Sequence, residues 1–413
     1  MKKDNQIFAD LQIHSKYARA TSKDISIENL EKYARIKGLD LLGVGDFQHP
    51  LRRKEIDEKL KEDAFGILRT KTGFPFIWQT EVSLMFSQGA KKRRAVHLLI
   101  FAPNTFIADK ITSYLGSKGR LDYDGRPIFG ITCRDLVKDL KEIDDKIEII
   151  PAHVMTSWFG LFGSVSGFDS LKECFLDQTD KIYAIESGMS ADPEMLWKLN
   201  EDINIVSFSD AHSFWPWRLG RECVIFDMPE LTYDNIIKAI RTGKGLSATI
   251  ETPPEYGKYH YDGHRNCNFS SSPGETRKLK GICPICGKPL TIGVEYRIEE
   301  LTKKQLAPGN RQKPFYKVLP LHEVISLAVG TSMTSKAVSK IYTEHIDKFE
   351  NEFNILLYAT REKLGTAIKN ELLLDLILKN REGKIKLKPG YDGEYGKAIL
   401  GDVKVPKQSK LFS

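Results

Sequence analysis

Short apolar runs recur through the N-terminal half of the chain, and almost every one stops at a side chain able to bind a metal ion. Ile7-Phe8-Ala9-Asp10-Leu11 leads into Gln12 and His14. Leu41 to Val44 leads into Asp46 and His49, and Phe76-Ile77-Trp78 leads into Glu81. Val96 to Phe101 carries His97. Ile147 to Ile150 leads into His153, Ile182 to Ile185 into Glu186, and Ile203 to Phe208 into Asp210 and His212. These runs have strand length and alternate with segments of helical spacing. Ser26 can cap a helix carrying Ile27, Leu30, Tyr33 and Ala34, and Gly38 can end it in the left-handed conformation. Leu41 to Val44 is apolar without alternation, which suits a strand covered on both faces. The pattern predicts an α/β fold with a largely parallel sheet. If such strands close into a barrel, their carboxyl ends share one rim, and ligands distant in sequence meet there. A set of His, Asp and Glu favours zinc, manganese or iron over a soft thiolate site.

One histidine beside an apolar run is ordinarily a hydrogen-bonded core or surface residue. Coincidence on successive strands is what carries the metal reading. Glu186 is its weakest member, because orienting and purely structural roles suit it equally well. With 413 residues the chain is too long for a single compact core, so two or three domains are expected. Hydrophobic residues at 41% and charged residues at 28% exclude a disordered or membrane-embedded class. No apolar stretch has the length of a membrane span, and Met1-Lys2-Lys3-Asp4 lacks the apolar core of a signal peptide. A cytoplasmic protein without a membrane partner is expected. Cys133, Cys174 and Cys223 stand singly, as reduced structural cysteines do.

Glu251-Thr252-Pro253-Pro254 breaks the alternation and marks a boundary. The expected division is a metal-binding barrel over residues 1–250, a small module over 251–300, a helical domain over 301–400 and a polar, mobile tail over 401–413. Residues 251–413 hold 27 Lys+Arg against 19 Asp+Glu, whereas residues 1–250 are close to neutral. The whole positive excess therefore sits on the appended half, a modest footprint for a polyanion such as nucleic acid.

Cys267, Cys283 and Cys286 supply three thiolates. Two residues between Cys283 and Cys286 let both sulfurs reach one tetrahedral ion, and Gly287 permits the tight turn. The fourth ligand is His264, whose spacing to Cys267 mirrors the second pair, or else His260. One structural zinc ion is predicted here, stapling a module too small to hold itself.

Asp10-Leu11-Gln12-Ile13-His14-Ser15, Gly45-Asp46-Phe47-Gln48-His49-Pro50, Thr80-Glu81, Pro151-Ala152-His153 and Ser209-Asp210-Ala211-His212 resemble the motifs of the polymerase and histidinol phosphatase (PHP) superfamily. That resemblance implies a distorted seven-stranded βα barrel with a two- or three-metal centre. His264-Arg265-Asn266-Cys267 followed by Cys283-Pro284-Ile285-Cys286-Gly287-Lys288 narrows it to something similar to the endonuclease Q family, across nearly the whole chain. The implied activity is DNA repair: cleavage of the phosphodiester 5′ to deaminated bases (uracil, hypoxanthine, xanthine) and abasic sites. The chain departs from the superfamily pattern in two places. Gln12 replaces the first histidine of His-x-His, and Phe47 replaces the histidine after Asp46, with His49 two residues later as the replacement imidazole.

The expected ligands of the divalent ions (zinc, manganese or magnesium) are His14, His49, Glu81, His97, His153, Asp210 and His212. Asp46 is either a further ligand or a group orienting His49. The resemblance makes Glu81 the bridge between ions; Asp210, Glu81 and His14 are the expected catalytic set. Damage recognition requires moving a base out of the stack. Trp158, Phe159 and Phe162, and beyond the last ligands Trp215, Trp217 and Arg218, are the candidates for stacking on that base or filling its gap. Arg221 is a candidate phosphate contact. Near the C-terminus, Gln408, Leu411 and Phe412 fit a sliding-clamp-binding pattern, so damaged DNA and the clamp are the expected partners, with a nucleoid-associated location. A small-molecule phosphoesterase and a non-catalytic DNA-binding protein are the competing readings.

Overall fold

Strand β1 (Gln6–Asp10) pairs in parallel with β2 (Leu41–Gly43), and β2 in parallel with β3 (Pro75–Gln88). A long hairpin then reverses the chain. β4 (Lys91–Ala102) runs antiparallel to β3, with Glu81 opposite Leu99 and Ser83 opposite His97. β5 (Glu148–Pro151) is antiparallel to β4 and so regains the direction of the first three strands. β6 (Ala184–Glu186) and β7 (Asn204–Val206) form a parallel pair. Backbone hydrogen bonds join these pieces. The Val154 N–H donates to the Glu186 carbonyl at 3.0 Å. Beyond β7, the Ala211 N–H donates to Gln12 at 3.3 Å, and the His14 N–H donates to Ala211 at 3.0 Å. This computed structural model describes residues 2, 4–89, 91–199, 201–302 and 312–400.

The sheet continues past the other edge of β1. β8 (Cys223–Asp227) and β9 (Leu246–Glu251) add antiparallel, and β10 (Phe315–Lys317) adds parallel to β9. β1 can serve both edges because the chain forks at Asp10. Its buried carboxylate accepts from the Ser209 N–H and hydroxyl and from the Gly220 N–H, filling the gap where β8 leaves and residues 209–212 arrive.

Alternate strand residues fall into two apolar clusters. Ala9, Leu41, Ile77, Leu99, Ile150, Ala184 and Val206 share one, and Phe8, Leu42, Phe76, Leu98, Ile149, Ile185 and Ile205 share the other. Burial on both faces explains why the runs read as continuous rather than alternating. The helix Ile27–Lys37 packs on this sheet by Ile27, Leu30 and Ala34. The Ser26 hydroxyl caps it by accepting the Asn29 N–H, and Gly38 closes it at φ 99°.

The small module holds a hairpin, Asp262–His264 with Phe269–Ser271, and the short helix Pro273–Lys278 capped reciprocally by Ser272 and Glu275. The later loop around Tyr391 folds back on it: the Gly390 N–H donates to Glu255, and Asp392 accepts from the Arg265 N–H and the Thr291 hydroxyl. Helices Leu321–Val329, Lys336–Phe349, Arg361–Ala367 and Glu371–Arg381 enclose a cluster of their own built on Leu321, Val324, Ile325, Leu364 and Ile377. Among the described residues no helix is long and apolar enough to cross a membrane.

A buried ion pair locks the helical unit to the sheet. Lys37 Nζ lies 2.7 Å from Glu352 Oε1 and donates to the Pro216 carbonyl, while Glu352 also accepts from the Leu321 N–H and the Tyr342 hydroxyl. Removing one charge strands the other in a dry seam, at a cost of about 3–5 kcal/mol. Glu352→Gln is therefore expected to lower the urea midpoint of unfolding substantially. An unchanged midpoint would show that water reaches this seam.

Candidate metal centre

Two groups of three ligand-type side chains come together in the fold. His14, Asp210 and His212 form one, Glu81, His97 and His153 the other, and within each the ligand atoms lie within 4.8 Å of one another. Glu81 belongs to both neighbourhoods. Its Oε1 is 2.7 Å from His97 Nδ1 and 3.4 Å from His153 Nε2, while its Oε2 is 3.1 Å from His14 Nε2. Glu81 and His97 reach the site differently from the others. They lie within β3 and the reversed strand β4, and the hairpin rather than a carboxyl end delivers them.

The support of these groups is specific. Asp46 Oδ1 takes His14 Nδ1 at 3.0 Å, and Asp46 Oδ2 accepts from the Ser15 N–H and hydroxyl. The ring is thereby fixed with Nε2 toward Glu81 and toward Asp210 Oδ1, also at 3.1 Å. Asp46 thus orients His14, which corrects the expectation that it would orient His49. His49 stands outside both groups, stacked on Tyr17 at 4.7 Å at the start of helix Pro50–Lys59, so the replacement-imidazole expectation is corrected too. Gln12 turns its amide to Glu81, donating from Nε2 to Oε2 at 2.9 Å. Glu186 accepts the backbone N–H groups of His153, Gly188 and Phe208, bracing the turns that carry His153 and Asp210. Burial pushes its carboxyl up to about 7.

The donor set fits divalent cations. One nitrogen, His14 Nε2, faces carboxylate oxygens of both Glu81 and Asp210, and a single N–H cannot satisfy both. Burial opposes a charge on His14, yet Asp46, Asp210 and Glu81 outweigh it and raise its pKa well above the ordinary value. Burial pushes His97 down to about 3, against the pull of Glu81, leaving a neutral ring with a lone pair to offer. A cavity of about 700 Å³ opens above these groups; Arg126, Arg218, Arg221, Lys258, Trp158 and Tyr395 are among its walls.

The same architecture is known in solved proteins. The crystal structure of the lesion-specific endonuclease PfuEndoQ from Pyrococcus furiosus superposes with a TM-score of 0.85 at 30% identity, over 96% of this chain and 96% of that one. This chain belongs to the endonuclease Q family. An endonuclease Q in complex with a 27-mer duplex bearing an abasic lesion at its active site gives a TM-score of 0.86, also at 30% identity, over 96% and 97% of the two chains. Among curated relatives, "Uncharacterized protein MJ0043" of Methanocaldococcus jannaschii is 35% identical over 260 residues, 60% of this chain. This chain spans about a third (32%) of that relative's length. "Uncharacterized protein YqxK" of Bacillus subtilis is 26% identical over 95% of this chain and 99% of its own. The MJ0043 C-terminal domain family model matches residues 320–384, which lie in the helical unit.

In this endonuclease Q family member the aromatic loops are not alike. Trp158 stands on the cavity wall, 49% exposed. Phe159 lies over the His97 ring at 4.6 Å and accepts the His97 backbone N–H at its carbonyl, so it packs against the candidate ligand group. Phe162 is 1% exposed within the main core and offers no face to DNA, which corrects its assignment. Trp215 and Trp217 stack on each other at 5.1 Å, with Trp217 against His322 of the helical unit; neither lines the cavity. Arg221 is held by the Ser209 carbonyl, and Arg218 lies over Tyr395. Arg126, Lys258 and Tyr395 went unread in the sequence, where isolated residues in irregular loops show no periodicity. Around Tyr395 the spacing of Gly390, Gly393 and Gly396 marks a turn and nothing more.

In the small module His264, Cys267, Cys283 and Cys286 gather within 4.8 Å, with His264 Nδ1 3.2 Å from Cys286 Sγ. His260 is turned away, buried against Tyr261, so His264 is the histidine that stands with the cysteines. Burial resists a thiolate at Cys283, but the N–H groups of Cys286 and Ile285 donate to it and bring it down to about 6. Gly287, at φ 71°, makes the turn that returns its N–H to the Cys283 carbonyl.

Proposed function

We propose that this protein is a metal-dependent DNA repair endonuclease that hydrolyses the phosphodiester 5′ to deaminated bases and abasic sites. The observation that carries the reading is Glu81, whose buried carboxylate lies between two ligand groups, and His97, His153, Asp210 and His212 of those groups line a cavity walled by arginine and lysine. Family relatives described as a lesion-specific endonuclease, and as bound to a duplex with an abasic lesion, support the substrate class. His14, Asp210 and His212 would hold one divalent ion and Glu81, His97 and His153 another, with Glu81 shared. Bound there, such ions supply an activated water and stabilise charge on the attacking and leaving oxygens. The rest of the work belongs to the chain. Asp46 and Glu186 hold the ligands in place, Phe159 shields His97 from solvent, and the cationic walls draw the DNA backbone in. Trp158 is the side chain best placed to meet an extruded base.

The pairings that run from β1 to β5, and of β6 with β7, joined by the Val154–Glu186 bond and by Ala211 on Gln12 and His14 just past β1, support a distorted seven-stranded barrel for residues 1–250. His264 and the three cysteines would hold one structural zinc ion in residues 251–300, and residues 301–400 would serve as a helical DNA-binding domain. The clamp pattern of Gln408, Leu411 and Phe412 lies outside the described residues. Deleting residues 408–413 is expected to abolish binding to a cognate sliding clamp while leaving cleavage of short oligonucleotides intact. Equal clamp binding by the full and truncated proteins in surface plasmon resonance would remove the tail from the account.

The reading is tested by offering the metal-loaded protein a uracil-containing duplex and a phosphomonoester. It predicts nicking of the duplex alone. Turnover of the monoester alone would instead identify a small-molecule phosphoesterase, and affinity for DNA without turnover of either would identify a binding protein.

A further inference from the structure

We infer that Arg126 is a catalytic residue of this site, gripping a non-bridging oxygen of the phosphodiester that is cut; the assignment rests on the nuclease reading above. Arg126 lies in the irregular stretch between helix Thr105–Lys118 and strand Ile128–Phe129. The backbone there is pinned to the metal centre. Asp124 accepts the N–H groups of Arg126 (3.1 Å) and Arg19 (3.2 Å). The Gly125 N–H donates to the Tyr17 carbonyl at 3.1 Å, and the Gly125 carbonyl accepts from Gln48 at 2.6 Å. A Cβ at Gly125 would fall 2.3 Å from Asp46 Oδ2, the carboxylate that orients His14, so only glycine allows this approach. The loop's position is thus set by the same carboxylate that sets the first ligand.

The side chain reaches into the cavity beside His97, His153, Asp210 and His212 and is 26% exposed. Its Nη1 is 3.3 Å from Glu81 Oε1, an oxygen to which His97 is closer at 2.7 Å. The other guanidinium N–H groups have no partner among the described residues. A planar fork with spare donors matches a phosphate, and it stays charged at any working pH. The remaining cations of the cavity are less suited. Arg221 spends Nε and Nη2 on the Ser209 carbonyl, and Arg218 lies over Tyr395. None of them touches either ligand group, whereas Arg126 touches the carboxylate the two groups share.

Hydrolysis forms one P–O bond to the oxygen of water and breaks one P–O bond to the sugar, and the leaving oxygen ends with a proton taken from that water. Negative charge accumulates on the non-bridging oxygens between those events. Donors already aimed at them stabilise the transition state more than the ground state, and losing one typically costs about 10²–10³-fold in rate. Arg126 transfers no proton and forms no bond.

The alternative is that Arg126 merely balances the charge of Glu81. Arg126→Ala and Arg126→Lys are compared with wild type on a duplex carrying one abasic site, with single-turnover rate, metal content, duplex affinity in chelator and the effect of added guanidinium chloride all measured. The assignment predicts a roughly 10²–10³-fold slower Arg126→Ala, a smaller deficit for Arg126→Lys, partial rescue of the alanine variant by guanidinium, and metal content and duplex affinity close to wild type. Loss of metal in step with loss of rate, or a rate close to wild type, overturns it. A wild-type protein that leaves the duplex intact overturns the nuclease reading and this assignment together. A cutting wild type matched by Arg126→Ala overturns this assignment alone.

Discussion

Asp210→Asn is expected to abolish cleavage, lowering the rate by about 10³-fold or more, with folding and DNA affinity nearly unchanged. Asp210 lies with His14 and His212, its Oδ1 3.1 Å from His14 Nε2. Burial alone would favour the neutral acid, but His212 and His14 outweigh it and hold this carboxyl below the ordinary range, so it is a carboxylate at every working pH. Asparagine keeps the volume and removes the charge. The strand end keeps its shape because the neighbouring Ser209 N–H and hydroxyl remain tied to Asp10. What is lost is the anionic member of the group with which His14 and His212 would hold an ion. Full nuclease activity in the purified variant would sink the assignment of this group.

Cys283→Ser should remove one zinc ion per chain and unfold the small module locally. The four ligands come from two short segments, residues 264–267 and 283–286, and the regular structure around them is slight: the three-residue strands of the hairpin and a six-residue helix. In a unit this small the binding free energy of the ion is the folding free energy. Limited proteolysis is expected to open residues 262–290, while the barrel ions stay, since Glu81, His97, His153, His14, Asp210 and His212 belong to separate elements. Unchanged zinc by elemental analysis would refute the Cys/His site.

The meeting of His14, His153, Asp210 and His212 was readable because strands that run the same way end on the same side, and each of these residues follows an apolar run. The caps of the first helix were readable because Ser26 and Gly38 act through local chemistry alone. Other features depend on contacts that one-dimensional spacing does not encode. His97 arrives by a chain reversal within a long hairpin. Asp46 takes the left-handed conformation, at φ 53°, at the turn out of β2 and pairs with His14 rather than with the nearer-in-sequence His49. Phe162 and Trp158 sit four residues apart in one irregular loop, yet one is core and the other cavity wall. Arg126 gains its place from the close approach of Gly125 to Asp46, which is visible only once the chain has folded.

The central claim is that Glu81 joins two ligand groups into one centre that cuts DNA beside a lesion. Its most direct test maps the products of an end-labelled duplex with a single abasic site, incubated with metal-loaded wild type and with Glu81→Gln. The account predicts one cut, at the phosphodiester immediately 5′ to the lesion, absent with chelator, absent from undamaged duplex and lost in Glu81→Gln. Equal cutting of undamaged DNA, or an undiminished cut by Glu81→Gln, would contradict it.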